Sequence, residues 1–475
     1  MNNFFIYSVG KIISSILKFL FLPVVSFYMT QEEVGEIGMI LTIIPLLGLI
    51  INFGMNVNYS LKFYIFKENE KDILRVNILY FYIFIFLILL LLFFFKNDYI
   101  EKFFDLNKNK NFYIKLLSIS FCSIVYEFLL EKYRMELNSK IYVIYQIINS
   151  SLIFLIPLFF ILENQASISN YINGYFYSMV GSLLILLVRE TKFKNIKLKR
   201  INISYLKESM KIGVIVMSNF FFSYLLTYID RYILKEINGL KNVAMYTMGY
   251  KFGEVFNILI VSTYLLIVNP IFFKKYSFGE KEYKKKLNKI IDIFILISGI
   301  YFVSMSVGIK FIFHFLNKEY MNSIIITEII TLSYIFLGLS QLISSIILIK
   351  EKIRVTVIFT IIAGITNIIL NYCWIPKYEA VGAALATMIC YILILIISFL
   401  YSQRLLNLEL IYENKIKIII INVSFIFLIK LIDLENLYTD FILKIFIFFI
   451  YILMIYLLKL EPLINKYIRN KIKNI

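Results

Sequence analysis

The stretch ILRVNILYFYIFIFLILLLLFFF, residues 73–95, decides the class of fold. From Ile78 to Phe95 it runs for 18 residues without a charge or an amide. At 1.5 Å per residue such a run is about 27 Å long, close to the ~30 Å hydrocarbon thickness of a bilayer. The rest of the chain is built in the same way. Of its 475 residues 60% are hydrophobic, 17% aromatic and 17% charged, and the mean hydropathy is +0.81. Soluble domains are about 45–50% apolar and about 25% charged. Soluble and disordered classes are therefore excluded. So is a disulfide-stapled secreted fold, because the three cysteines (Cys122, Cys373, Cys390) each sit inside an apolar run.

Working outward from residues 73–95, hydropathy marks fourteen spans. They cover 5–28, 36–58, 73–95, 112–130, 142–162, 171–188, 212–234, 243–272, 290–313, 323–349, 354–374, 380–401, 416–431 and 441–458. The first looks superficially like a signal peptide. Lys11 and Lys18 interrupt its apolar run and no small-residue cleavage site follows, so it is read as a span. The expected fold is all-α, a polytopic membrane protein of about 14 transmembrane helices.

The net charge of +18 raises a nucleic-acid reading, and the placement of the charge answers it. With the N-terminus in the cytoplasm, cytoplasmic connections and their flanks hold 33 Lys and Arg, against 9 for the external ones. The external turns Thr30-Gln31-Glu32-Glu33, Glu163-Asn164-Gln165 and Asp433-Leu434-Glu435 hold none. This is the asymmetry of the positive-inside rule, with both termini cytoplasmic. The charge reports topology, and no nucleic-acid partner is expected.

No connection is long enough for a folded domain. The basic segment Arg189–Lys211 falls after six spans and divides the chain. The expected organisation is a six-helix lobe over 1–195, a pseudo-symmetric six-helix lobe over 196–405, and a helix pair with a basic tail over 406–475. A weak internal match supports the repeat. Glu33-Val34-Gly35-Glu36-Ile37-Gly38 and Asn242-Val243-Ala244-Met245-Tyr246-Thr247 align at an offset of 209 residues, with the same direction of chain travel.

Polar stripes at helical spacing mark helices that face something other than lipid. Span 1 has Tyr7, Lys11, Ser14, Ser15 and Lys18; span 5 has Tyr142, Tyr145, Gln146 and Asn149. Span 7 has Asn219, Ser223, Thr227 and Asp230-Arg231, and span 8 has Thr247, Tyr250, Lys251, Glu254 and Asn257. Span 11 has Thr360, Gly364, Asn367 and Asn371, while spans 13 and 14 show no such stripe and read as a lipid-facing addition.

Charges inside the stripes carry the most information. A Lys at a helix centre costs about 2.5–3.5 kcal/mol on insertion scales unless it snorkels. Lys18 is about 21 Å from one end of its span and about 16 Å from the other, beyond easy snorkelling. Each charge also has a plain structural reading. Lys18 can pair with Glu127 of span 4, Lys251 with Glu254 at i, i+3, and Asp230 with Arg231 at the interface. Gly249-x-x-x-Gly253 reads as close helix packing.

Other chemistries find no residues. The sole histidine, His314, rules out a His-based metal or catalytic cluster, and there is no phosphate-binding glycine loop or Cys-x-x-Cys. No cofactor is expected, and ATP-driven pumping by this chain alone is excluded.

Several motifs resemble those of one family. Asn367-x-x-Leu370-Asn371, then Ile375-Pro376 and Gly382-Ala383-Ala384-Leu385-Ala386-Thr387, is similar to the recurrent signature of the polysaccharide-exporter branch of the multidrug/oligosaccharidyl-lipid/polysaccharide (MOP) superfamily. Tyr228-Ile229-Asp230-Arg231-Tyr232, followed by Val243-Ala244-Met245-Tyr246 and Lys251, resembles the start of that branch's second lobe. Glu33-Val34-Gly35 and Asn52-Phe53-Gly54 resemble its beginning. Glu379 departs from the pattern, standing where the branch often has Gly.

The resemblance implies a Wzx-type flippase of the bacterial inner membrane. Such proteins move undecaprenyl-diphosphate-linked oligosaccharide repeat units outward by alternating access, for O-antigen, lipopolysaccharide or capsule biosynthesis. On that reading Lys11, Lys18, Arg231 and Lys251 hold the diphosphate, and Asn219 and Tyr250 meet glycan hydroxyls. Asp230 and Glu254 are candidates for coupling to a proton or sodium gradient. The implied partners are the lipid-linked oligosaccharide, the bilayer, and polysaccharide polymerase with its chain-length machinery. Two alternatives stand beside this non-enzymatic reading: a drug/cation antiporter of the same superfamily, and a polytopic glycan polymerase or ligase. The mid-membrane lysines oppose the first, and the lack of a large external loop opposes the second.

Overall fold

The computed structural model describes residues 2–95, 101–102, 104, 106, 108–163, 166–190, 203–432 and 434–458, and among them all regular structure is helical. Hydrocarbon offers a backbone N–H or C=O no partner, so a chain this apolar satisfies them within helices. The helices are α1 (Asn2–Val25), α2 (Gln31–Asn52), α3 (Met55–Lys62), α4 (Glu68–Phe95), α5 (Lys110–Met135), α6 (Ser139–Glu163), α7 (Ile168–Arg189) and α8 (Ile203–Asn238). After these, α9 (Leu240–Phe256) runs through a π-helical turn at Asn257–Val261 into α10 (Ser262–Tyr276). They are followed by α11 (Glu280–Leu316), α12 (Ser323–Ile343), α13 (Ser345–Ile349), α14 (Ile353–Leu405), α15 (Glu413–Leu431) and α16 (Leu437–Leu457).

Each of the fourteen segments expected from hydropathy lies mainly on helix. Among the described residues ten helices are long and apolar enough to cross a membrane, or eleven with the bent pair Tyr205–Lys211 and Val216–Asn238. That count takes α14 once. Its 53 residues are kinked at Glu379 and supply two of the expected spans, so fourteen spans are compatible with the structure.

The chain falls into two compact units, Met1–Thr247 and Met248–Ile475. The lobe boundary expected at 195/196, and the basic tail from residue 459, lie outside the described residues.

In the first unit α1 packs on α6, α6 and α5 on α7, α2 and α4 on α5, and α8 on α2, α3 and α4. Local sequence sets the starts and breaks. Thr30 caps α2 by accepting from Glu33 N, while the Glu33 carboxylate accepts from Thr30 N at 2.9 Å, a reciprocal capping box. Phe53 and Gly54, both in the left-handed region (φ 46° and 73°), break the chain between α2 and α3. Gly54 is needed there twice over, because a Cβ would also meet Val216 and the Gly213 carbonyl at about 3 Å. The α8 start then runs along α3, with Asn58 Nδ2 donating to Ser209 at 2.5 Å and Lys62 bridging Glu208 at 2.7 Å.

One buried charge network ties α4, α5 and the end of α7. Glu190 accepts from Arg75 Nη2 at 2.5 Å and from Tyr133 OH at 2.5 Å, and bridges Lys132 at 3.2 Å. Its side chain is 1% exposed and that of Arg75 8%. Burial pushes the Glu190 carboxyl up, but Arg75, Tyr133 and Lys132 outweigh it and hold the group below its ordinary range.

In the second unit α12 packs along α14, α11 on α10 and α12, and α15 and α16 on α11. The kink in α14 brings its limbs together, for a Cβ at Gly382 would sit 2.6 Å from the Trp374 carbonyl. Ala383, Ala384 and Ala386 are fully buried beside it, which accounts for the small residues of that motif. Glu379 holds the kink at φ 49°, ψ −132°, a conformation suited to glycine.

The last two spans expose much apolar surface and also carry polar contacts that no stripe marks. Asn422 of α15 fits against Gly299 of α11, where a Cβ would lie 2.0 Å from its amide nitrogen. The Asn422 oxygen accepts from Tyr451 OH of α16 at 2.8 Å. Lys415 bridges Asp292 of α11 at 2.9 Å, and Asp440 pairs with Lys444 within α16 at 2.8 Å. The pair is bonded to α11 through isolated polar residues too widely spaced to read as a stripe.

Two outcomes follow for stability. Glu190→Gln is expected to cost about 3 kcal/mol at neutral pH, since it strands a buried Arg. A lowered carboxyl pKa adds stability that is present above the unfolded-state value and lost as pH falls through the folded one. The difference in thermal midpoint between Glu190→Gln and the parent in detergent should therefore close as pH drops below about 4. Glu379→Gly should raise the midpoint by relieving about 1 kcal/mol of backbone strain, and a fall would refute that account.

Candidate functional site

The charged and polar spans divide into open and closed groups. In the first unit the α1 stripe is open: Lys18 is exposed and Lys11 half-buried, although both lie inside a helix that packs on α6. Across from α1, Glu127 is the exposed position on a face of α5 whose neighbours Tyr126 and Phe128 are buried. The Lys18 ammonium lies within electrostatic reach of the Glu127 carboxylate, and so does Tyr175 of α7. Tyr142 of α6 is within reach of Glu127 and Glu131, and its ring meets Tyr7 edge-on at 5.3 Å. These side chains come from α1, α5, α6 and α7 of the same unit and are linked by those pairwise interactions.

Two of these helices also carry polar atoms that the described residues do not satisfy. Tyr7 OH and Ser14 Oγ of α1, with Gln146 Oε1 and Asn149 Oδ1 of α6, are buried without a hydrogen-bond partner among them. Buried polar atoms without protein partners are uncommon and mark places where water or ligand is accommodated.

Asp230 and Arg231 form a closed group on α8. Both are buried, at 0% and 2% exposure. Arg231 Nη1 donates to the Thr227 carbonyl at 2.9 Å and lies 3.5 Å from Asp230 Oδ1. Its guanidinium is sandwiched by the Tyr228 and Tyr246 rings at 5.3 and 5.2 Å. Tyr246 OH donates to the other Asp230 oxygen. Asn219, on the same helix, remains partly exposed.

Close packing of the two repeated turns explains why this corner is shut. A Cβ at Gly35 would lie 2.1 Å from the Leu240 carbonyl, and one at Gly38 would lie 2.6 Å from Thr247 Oγ1. The sequence segments that match at 209 residues therefore pack against each other, Gly38 against the Thr247 side chain and Gly35 against the backbone just ahead of the second segment. Tyr246 is thereby carried onto Asp230.

In the second unit Tyr250 is buried and shares a hydroxyl–hydroxyl bond of 2.8 Å with Tyr334. Lys251 donates to Glu254 at 2.9 Å, both partly exposed. Gly249 and Gly253 are taken up in packing on α12, where a Cβ at either would come within 2.7 Å of Ile326 or Ile330 atoms. Asn371 donates to Asn367 at 2.9 Å in the buried face of α14.

The structure thus brings Lys18 to Glu127, leaves Lys11 half-buried on the same helix, buries Arg231 with Asp230, and pairs Lys251 with Glu254. From the sequence Glu127 is expected only as a counter-ion of Lys18. Its exposure depends on what other helices place opposite α5, and the sequence of α5 does not contain that. Among the described residues no group of three or more His, Cys, Asp or Glu could hold a metal.

The fold of the chain is also found in solved structures. It is similar to the structure "Lipid II flippase MurJ, inward closed conformation", with a TM-score of 0.75 and 20% identity, over 96% of this chain and 99% of that one. It is also similar to the inward-facing and outward-facing conformations of a multidrug resistance MATE family transporter. Their TM-scores are 0.63 and 0.59 at 13% and 14% identity, over 86% of this chain and 95% and 96% of those. By sequence the chain belongs to the polysaccharide biosynthesis protein family, whose profile matches residues 1–276. No curated protein sequence matches it.

The closed group makes a prediction. Asp230→Asn leaves Arg231 buried without its counter-charge and should cost about 3 kcal/mol. The expected readout is a lower thermal midpoint in detergent at every pH from 6 to 8; an unchanged midpoint would count against a structural role.

Proposed function

We propose that the protein is a flippase for oligosaccharide repeat units carried on undecaprenyl diphosphate, working in the bacterial inner membrane with both termini cytoplasmic. The observation that carries this reading is Lys18, an exposed mid-span ammonium within electrostatic reach of Glu127; the polar and tyrosine side chains around it are read as one groove. An isolated diphosphate in hydrocarbon is prohibitively costly, and a cation presented in a water-accessible groove removes most of that cost. The membership in a polysaccharide biosynthesis family and the likeness to a lipid II flippase along nearly the whole chain support it.

In the proposed cycle the lobes 1–195 and 196–405 alternate access, with the pair 406–475 appended. Lys18 is balanced by Glu127 when the groove is empty, and the incoming diphosphate displaces the carboxylate from the ammonium. Lys11, one face further toward the cytoplasm, serves as an earlier cationic contact. Lys251 sits beside Glu254 in the second unit in the same kind of exchangeable pair. Arg231 and Tyr250, which this structure buries, would join only in a conformation that opens their surroundings; Asn219 stays available for glycan hydroxyls. Asp230 and Glu254 remain the carboxylates proposed for proton or sodium coupling. The product enters O-antigen or capsule assembly through a polymerase and its chain-length partner.

Glu127 supports a second reading, a drug/cation antiporter, because an exposed carboxylate in a groove suits a cationic substrate. The two readings separate in one experiment. A deletion strain should accumulate complete lipid-linked repeat units in an organic extract and lack surface polymer. Normal lipids with heightened drug sensitivity would favour the antiporter. In the complemented strain Lys18→Ala should lower transport by roughly 30-fold or more with protein level unchanged. Full activity of that variant would sink the assignment of Lys18.

A further inference from the structure

A cavity of about 490 Å³ opens between the first turns of α5 and α7, away from the groove residues. Its floor is apolar, formed by the buried side chains of Phe112 and Ile172. Its rim is polar, with Asn111 and Ser169 exposed and Lys108 and Lys115 partly exposed. These residues have no part in the groove of Lys18 and Glu127.

The two lysines differ in how their charge is met. Lys108 bridges Glu36 of α2 at 2.9 Å and is neutralised. Lys115 donates to the Asn173 amide oxygen at 2.5 Å, a neutral partner that fixes the ammonium in place, and among the described residues no carboxylate bridges it. It lies five residues into α5, about 7.5 Å along the helix, and is partly exposed. A half-buried ammonium held by an amide, beside open hydrogen-bonding groups and above an apolar floor, is complementary to a particular kind of ligand. The floor accepts the C–H face of a pyranose, the rim groups pair with hydroxyls, and Lys115 takes a carboxylate or phosphate on the ring. The volume exceeds that of one monosaccharide.

We propose that this cavity is an acidic-saccharide site. It lies at the end of the helices that the loop-charge asymmetry assigns to the exterior, where it would receive the glycan of a repeat unit after translocation. The assignment rests on the flippase reading for its biological use, and it specifies a substrate class: repeat units containing a uronic acid or a phosphorylated sugar. Positive-inside bias does not account for Lys115, because that rule places cations on the opposite face.

The test is direct binding to the purified full chain in zwitterionic nanodiscs, read by saturation-transfer NMR and titration with glucuronic acid. Glucuronic acid should bind, glucose should bind at least about tenfold more weakly, and Lys115→Gln should lose glucuronate affinity by at least about tenfold. Ser169→Trp, which fills the rim while keeping Lys115, should abolish binding of both sugars. Equal binding of glucose and glucuronate, an unchanged Lys115→Gln, or no binding to the parent would overturn the proposal. So would displacement of glucuronate by phosphatidylglycerol added to the nanodiscs, which would make the cavity a lipid-headgroup site. Because this assay requires no translocation, its failure is distinct from a deletion strain that accumulates no lipid-linked saccharide.

Discussion

Everything in this structure follows from where a polar group can be placed when the surrounding solvent is hydrocarbon. Backbone groups are satisfied inside helices, which leaves side chains as the variable. The polar side chains of the described spans meet one of three ends. Some pair with each other in buried contacts, as Glu190 does with Arg75, Lys132 and Tyr133. Others bond across helix interfaces, as Asn422 does with Tyr451. A few stay exposed, as Lys18 and Glu127 do. The first two hold helices together, and the third is the place where a polar solute can be accommodated.

Close approach of helices does the complementary work. Association in lipid gains little from the hydrophobic effect, so packing depends on small residues that let backbones meet. Gly35 against Leu240, Gly249 against Ile326 and Gly382 against Trp374 are three such crossings. The first joins the two turns that the internal repeat relates. That gives the weak sequence match a physical meaning, since Gly38 of the first copy meets Val243 and Thr247 of the second. The last explains the alanine-rich motif after residue 382 without assigning it any chemistry.

The open and closed charges together give the molecule its functional character. Arg231 lies between two tyrosine rings with Asp230 beside it, so its charge is spent on holding a corner. Lys18 is exposed and within electrostatic reach of Glu127, a carboxylate that also keeps an exposed face. The contrast arises from packing. Both cations stand in polar stripes of similar spacing, yet only one faces an opening.

The fold was legible in the sequence because hydrocarbon imposes length and composition on every span, and a run such as Ile78–Phe95 has no other use. Stripe residues on α1 and α6, and the pairs Lys251–Glu254 and Asp230–Arg231, were legible because helical spacing and adjacency are local properties. What the sequence could not contain was the meeting of distant elements. Glu190 joins Arg75 across 115 residues, Asn422 fits Gly299, and Tyr246 closes over Asp230. Span positions and the polar stripes of α1, α6, α8 and α9 are local properties, set by residues within a few turns of one another. Tertiary structure alone decided which polar faces are sealed and which stay open, because that depends on what another helix presents opposite them.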